Sequence, residues 1–259
     1  MKLFTVLTII LLQYSCGDES KDDINIIEEP NSVKLIKDIL YSGSESGSHF
    51  YYEDNKLTKS SVLNRGNYEV YTYNSNNKIS KIKQYYDNSN VPNNSVALNF
   101  NYASNFNDNE YLIEYVWLNN NAFKSRSKQY NFDSKGLVQS VECSDSDCES
   151  VNIYYKNNQI DKVIYNEGKS YQSIYTFEFD DGINPMNILF RKFGYVEYIN
   201  IQVFDYFFDF YYINNATKIY RDGTLVYTAN YQYNSDNYPI QVTYVRVSNG
   251  ETGKAVFTY

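Results

Sequence analysis

The sequence predicts an all-β protein, an antiparallel meander of repeated β-hairpins whose sheet curls on itself or is covered by a second layer. Three observations predict it. A short pattern recurs: aromatic-x-aromatic, a polar turn rich in Asn, Asp or Gly, then an aliphatic residue that leads the next strand. Alternate residues of a strand share a face, so each aromatic pair points one way, and Asn, Asp and Gly accept the left-handed backbone of tight hairpins. No segment carries a convincing helical period.

Before the repeats, Lys2 precedes the apolar run Leu3–Leu12. The run falls short of the roughly 20 residues of a membrane-spanning helix and suits the apolar region of a signal peptide, roughly 7–15 residues. Ser15-Cys16 follows, and the segment resembles the bacterial lipoprotein signal, in which a small residue precedes the cysteine that becomes lipidated; Gln13 stands where Leu is usual. The run Gly17-Asp-Glu-Ser-Lys-Asp-Asp resembles the export tag of surface-exposed Bacteroidota lipoproteins. The expected organisation is a signal peptide over 1–15, lipidated Cys16 with an acidic flexible tether over 16–32, and one hairpin-repeat domain over 33–259.

Ser32–Leu40 reads as the first strand and Ser42–Ser48 as the hairpin loop after it, with Gly43, Gly47 and Gly66 as turn glycines. His49, the single histidine, reads as a surface residue of that loop, since a general base there would need a nucleophile and an orienting group. The repeat copies are Phe50–Leu57, Tyr71–Ile79, Tyr130–Leu137, Ile153–Ile160 and, with one extra residue, Tyr231–Ile240; Phe177-Glu-Phe starts a looser copy and Phe257-Thr-Tyr259 half of another. They lie roughly 20–30 residues apart, the length of one hairpin. Between them, Trp117 shares a strand face with Ile113 and Tyr115, as a core residue or as an aromatic for stacking on a sugar.

Ile201–Tyr212 alternates Gln202, Phe204, Tyr206, Phe208, Phe210 and Tyr212 with Ile201, Val203, Asp205, Phe207, Asp209 and Tyr211. Both faces are largely apolar, which predicts a central strand covered on both sides. Asp205 and Asp209 then require partners or a ligand, because a buried unpaired carboxylate is costly. They do not form a glycosidase pair: four strand residues span about 13 Å, beyond the roughly 5–9.5 Å such chemistry uses.

Three cysteines are present. With lipid on Cys16, Cys143 and Cys148 remain, close together in a chain that meets oxidising conditions, and a disulfide across a hairpin tip is the simplest reading. A calcium site on Asp145, Asp147 and Glu149 would lack the glycine and terminal acidic spacing of a recognised loop. No metal or cofactor is expected. Removing Lys2 with the signal changes 23 basic against 31 acidic residues to 22 − 31, or −9. Such a surface repels phosphate backbones, so nucleic acid is not an expected partner.

The repeats resemble YD (Rhs-like) repeats, and more closely the Bacteroidota lipoproteins of unknown function built from related repeats. The Gly of the usual Tyr-Asp-x-x-Gly-Arg turn is kept as Gly136 and replaced by Asn76-Asn77 elsewhere. The resemblance implies an antiparallel β architecture and no catalytic residues. Three functions stay open: a non-catalytic outer-membrane lipoprotein, surface-exposed or periplasm-facing, that binds a glycan or an envelope protein; a structural scaffold in an envelope complex; and a hydrolase using Asp and Glu. Solvent-facing aromatics in a cluster would favour the first.

Overall fold

The computed structural model of the protein describes residues 33–41, 47–63, 68–85, 98–101, 110–119, 122–133, 137–143, 149–157, 159–194 and 212–259, with the backbone alone at 84, 98–101, 110–119, 122–128 and 143. In chain order the elements are β1 (Asp38–Tyr41), β2 (Gly47–Glu53), β3 (Lys56–Val62), β4 (Tyr68–Tyr73), β5 (Ile79–Tyr85), β6 (Leu98–Asn101), β7 (Glu110–Asn119), β8 (Ala122–Phe132), β9 (Val138–Cys143), β10 (Val151–Lys156), β11 (Gln159–Tyr165), β12 (Ser173–Ile183), α1 (Pro185–Phe193), β13 (Asn214–Arg221), β14 (Thr224–Tyr233), β15 (Pro239–Arg246) and β16 (Glu251–Thr258).

The strands form one antiparallel meander. Its order runs β6-β5-β4-β3-β2-β1-β16-β15-β14-β13-β12-β11-β10-β9-β8-β7, with β1 paired to β16. Among the described residues no ladder joins β6 to β7, so the sheet is not closed there. It nevertheless curls. Phe193 of α1 meets Tyr52 and Tyr73, at 6.4 and 6.1 Å between ring centroids, while Phe190 stacks on Phe132 of β8 at 5.9 Å. Eleven strands separate β4 from β8 in the sheet order, yet both reach one short helix. The sheet therefore wraps round α1, and one buried cluster joins its inner face to Met186, Leu189, Phe190 and Phe193.

The repeat is visible in three dimensions. In five copies the register shifts immediately before the second aromatic, at Tyr51/Tyr52, Thr72/Tyr73, Asn131/Phe132, Tyr154/Tyr155 and Gln232/Tyr233. The opposite strand carries one extra residue each time, a β-bulge that raises the local twist. Tyr71, Tyr130, Phe132 and Tyr231 are buried, and Tyr73 and Tyr233 pack against the same core, so each aromatic pair shares the inner face as strand periodicity requires. The turns use left-handed Asp54, Asn55, Asn77, Asn157 and Asn237. In two copies an Asn side chain closes the turn in the same way. Asn74 Oδ1 accepts from the backbone N–H of Asn76 and Lys78, and Asn234 Oδ1 from those of Asp236 and Tyr238, each at 3.0 Å.

Hydroxyls tie three of the copies to their predecessors. Tyr73 donates to the Leu57 carbonyl at 2.6 Å, Tyr155 to Val138 at 2.8 Å and Tyr259 to Pro239 at 2.9 Å. Each acceptor is the residue paired with the second aromatic of the preceding copy: Tyr52 with Leu57, Phe132 with Val138, Tyr233 with Pro239.

The structure corrects several expectations. Pro185–Phe193 is a helix: Asn184 caps it by accepting from the Met186 N–H at 2.9 Å, Pro185 opens it, and left-handed Gly194 closes it. In the Tyr231 copy the leading residue is Pro239, not Ile240, so the turn is no longer than its counterpart at Tyr71. Ile240 is the bulged residue, and it faces outward. β1 begins at Asp38, with residues 33–37 irregular. Gly47 and His49 belong to β2 rather than a loop. A Cβ on Gly47 would lie 2.5 Å from the Ile39 carbonyl oxygen, so close strand approach, not a turn, requires that glycine. Of the predicted strand Ile201–Tyr212 only Tyr212 is described, as a buried residue outside any strand.

Candidate functional site

Strand alternation places Asp38 and Leu40 of β1, His49 and Tyr51 of β2, Lys59 and Ser61 of β3, Tyr68 and Val70 of β4, and Lys83 and Tyr85 of β5 on the outer face, opposite buried Ile39, Phe50, Ser60, Glu69 and Ile82. The register aligns them in two rows. Asp38 pairs with His49, His49 with Ser61, Ser61 with Tyr68 and Tyr68 with Tyr85; beside that row, Tyr51 pairs with Lys59, Lys59 with Val70 and Val70 with Lys83. From His49 to Tyr85 the row crosses three strand spacings, about 14 Å.

The side chains form a platform. Tyr68 and Tyr85 stack at 4.7 Å between centroids. His49 meets Tyr51 edge-on at 4.2 Å. Lys59 Nζ lies over both Tyr68 and Tyr51, 4.4 and 5.1 Å from their ring centres. Tyr51 stays 40% exposed and Val70 36% exposed, so hydrophobic burial does not account for this aromatic surface. The imidazole is held in place: its Nδ1 N–H donates to Asp38 Oδ1, whose other oxygen accepts from the Thr258 hydroxyl. That arrangement also ties β1 to both neighbours.

Directly behind the platform, Glu69 points inward and is fully buried. The Tyr71 hydroxyl donates to its Oε2 at 2.8 Å and the Ser60 hydroxyl at 3.4 Å, and the two hydroxyls lie 2.6 Å apart. Burial pushes the Glu69 carboxyl up to about 7; the two hydroxyls pull it partway back.

Of the residues singled out in the sequence, Trp117 and Cys143 lie on β7 and β9, with their side chains outside the described residues; Cys16, Cys148, Asp205 and Asp209 lie outside them altogether. Among the described residues no group of three or more His, Cys, Asp or Glu is placed to hold a metal. The platform itself was missed. Its signal was present in polar and aromatic residues alternating within each copy, as in His49-Phe50-Tyr51 and Tyr68-Glu69-Val70, but the pairing of neighbouring strands was needed to bring them together.

No protein-family model and no curated protein matches the sequence. Solved structures do match in shape. A porin-like protein from Bacteroides uniformis ATCC 8492 superposes with a TM-score of 0.51 at 9% identity, covering 86% of this chain and 94% of that one. A porin-like protein from Bacteroides vulgatus ATCC 8482 gives a TM-score of 0.48 at 12% identity over 87% and 99% of the two chains. At such identity the likeness is one of fold. The face pattern adds to it: a membrane barrel turns an apolar band outward to lipid and polar residues inward. Here the inner face is Ile, Leu, Val, Phe and Tyr packed on α1, while Glu53, Lys56, Lys59, Lys81, Lys83, Lys162 and Glu178 lie outside the buried core. The chain shares its fold with a porin-like Bacteroides protein, and its described outer face carries lysines and glutamates among scattered apolar residues.

Proposed function

We propose that the protein is a non-catalytic cell-envelope lipoprotein, held to the outer membrane through Cys16, that binds glycan chains on its outer-face platform. The observation that carries the reading is the outer-face Tyr51-Lys59-Tyr68-Tyr85 array, with Tyr51 exposed and the other three half-buried. Tyrosine rings, an ammonium and polar groups side by side on one outer sheet face offer apolar contact area for sugar rings and hydrogen bonds for their hydroxyls. The likeness to a porin-like Bacteroides protein supports an envelope location. The water-facing outer strands favour a lipid tether over insertion, since a Lys on a lipid face costs about 2–4 kcal/mol at the bilayer midplane.

Affinity electrophoresis in gels cast with bacterial and host polysaccharides tests this. Wild type is expected to be retarded by at least one of them. Tyr51→Ala/Tyr68→Ala should run unretarded while melting within a few degrees of wild type. Retardation surviving in the double variant overturns the platform. An unretarded wild type in every polysaccharide turns the reading to a scaffold in an envelope complex.

A further inference from the structure

At the end of the sheet away from α1, the inner faces of β12–β15 surround a cavity of about 300 Å³ lined by Tyr175, Arg221, Val226, Tyr227, Arg246 and Ser248. It lies at the low end of the size range of small-molecule sites, which sets its occupant at about one ring. Two cross-strand pairs build it. Tyr175 opposes Arg221 and Tyr227 opposes Arg246, with each guanidinium over its tyrosine at 5.9 and 5.5 Å. The same device thus occurs twice on adjacent hairpins.

The hydrogen bonds fix the two guanidinia without consuming them. Arg246 donates from Nε to the Tyr227 hydroxyl at 2.9 Å and from Nη1 to Glu251 at 3.1 Å. Arg221 donates from Nη2 to the Ser173 hydroxyl at 2.9 Å, and its Nε lies 3.7 Å from Asp222, beyond hydrogen-bond length. An arginine has five N–H donors. Among the described residues three therefore remain on Arg246 and four on Arg221. Both side chains stay accessible, at 42% and 54% exposure. The chain holds 18 lysines and five arginines, and its net charge is −8. Two of the five arginines face this one cavity, each with one carboxylate of the chain beside it and N–H donors left over. A planar fork suits a carboxylate or sulfate, and a tyrosine face suits a sugar ring.

We propose that this cavity binds an acidic monosaccharide unit, its carboxylate or sulfate held between Arg221 and Arg246 and its ring against Tyr175 or Tyr227. The site is separate from the outer platform and does not depend on it.

Isothermal titration of the folded chain with glucuronate, galactose 6-sulfate, neutral galactose and inorganic sulfate tests the proposal. At least one acidic sugar should bind, and at least about tenfold more tightly than either neutral galactose or inorganic sulfate. Arg221→Gln and Arg246→Gln should each weaken it about tenfold or more. Arg246→Lys should not restore it, because an ammonium lacks the fork. Glu251→Gln should tighten it by releasing a competing carboxylate. Tyr51→Ala/Tyr68→Ala should leave it unchanged, which separates this site from the platform. Equal binding of neutral and acidic sugar overturns the charge recognition. Inorganic sulfate binding as tightly as the sugars overturns the ring contact. Wild-type affinity in both arginine variants, or no binding of either acidic sugar, overturns the site.

Discussion

Single residues carry strain and charge that alternation alone does not foresee. Glu69 occupies an inward position, two before the first aromatic of its copy, that Val151, Ala229 and Ala255 fill in other copies and the small Ser48 fills in the preceding one. Its native pKa of about 7 lies above its ordinary 4.5, so the folded chain binds that proton more tightly than the unfolded chain does. The sign follows: the stability is fully present below pH about 4.5 and is lost as pH rises to about 7, by about 3 kcal/mol for this interval. Glu69→Gln should remove that slope, so that urea midpoints at pH 5 and pH 8 converge. A variant as pH-sensitive as wild type would assign the slope to other groups. Gly253 is fixed by crowding instead. It pairs with Tyr244, and a Cβ there would lie 2.0 Å from the tyrosine ring. Gly253→Ala is expected to cost about 1–3 kcal/mol through overpacking, read as a lower thermal midpoint; an unchanged midpoint would mean that the ring moves aside freely.

At the scale of the element, the unit of construction is the bulged hairpin, tied to the hairpin before by a hydroxyl at Tyr73, Tyr155 and Tyr259. Two substitutions separate packing from tying. Tyr73→Phe keeps the ring and loses the bond to the Leu57 carbonyl, a loss of about 1 kcal/mol. Phe193→Ala removes the ring on which Tyr52 and Tyr73 rest, a loss of about 3–5 kcal/mol. Chemical denaturation of both should keep that order, and a reversal would shift the weight from the helix plug to the hydroxyl ties. The hairpins were legible because period two and the turn residues act locally. The ends of the helix are legible too, though its period is short. Asn184-Pro185 is a start signal, Gly194 a stop, and Met186, Leu189, Phe190 and Phe193 keep the spacing of one helix face. Nine residues among strands leave little room for a period to show. The one-residue offset at Pro239 has a similar cause: a bulge adds a residue without altering the polar and apolar pattern around it.

For the whole molecule, curling of the sheet round α1 makes the concave side a packed interior, and under the proposed function attachment to a membrane falls to the N-terminus. Cys16→Ser should accordingly move the protein from the membrane fraction to the soluble periplasm; unchanged fractionation with no lipid on the mature N-terminus would refute the anchor. The sequence by itself determined the all-β class, the hairpin unit, the inward aromatic pairs and the turn positions, because backbone sterics and strand alternation act within a few residues. Only the tertiary structure decided which strands became neighbours across the β1–β16 pairing, that the sheet wraps a helix, and that Tyr51, Tyr68 and Tyr85 on one face and Arg221 and Arg246 on the other are brought together. Those juxtapositions depend on register between segments far apart in the chain, and register follows from the packing of the whole core rather than from any one segment.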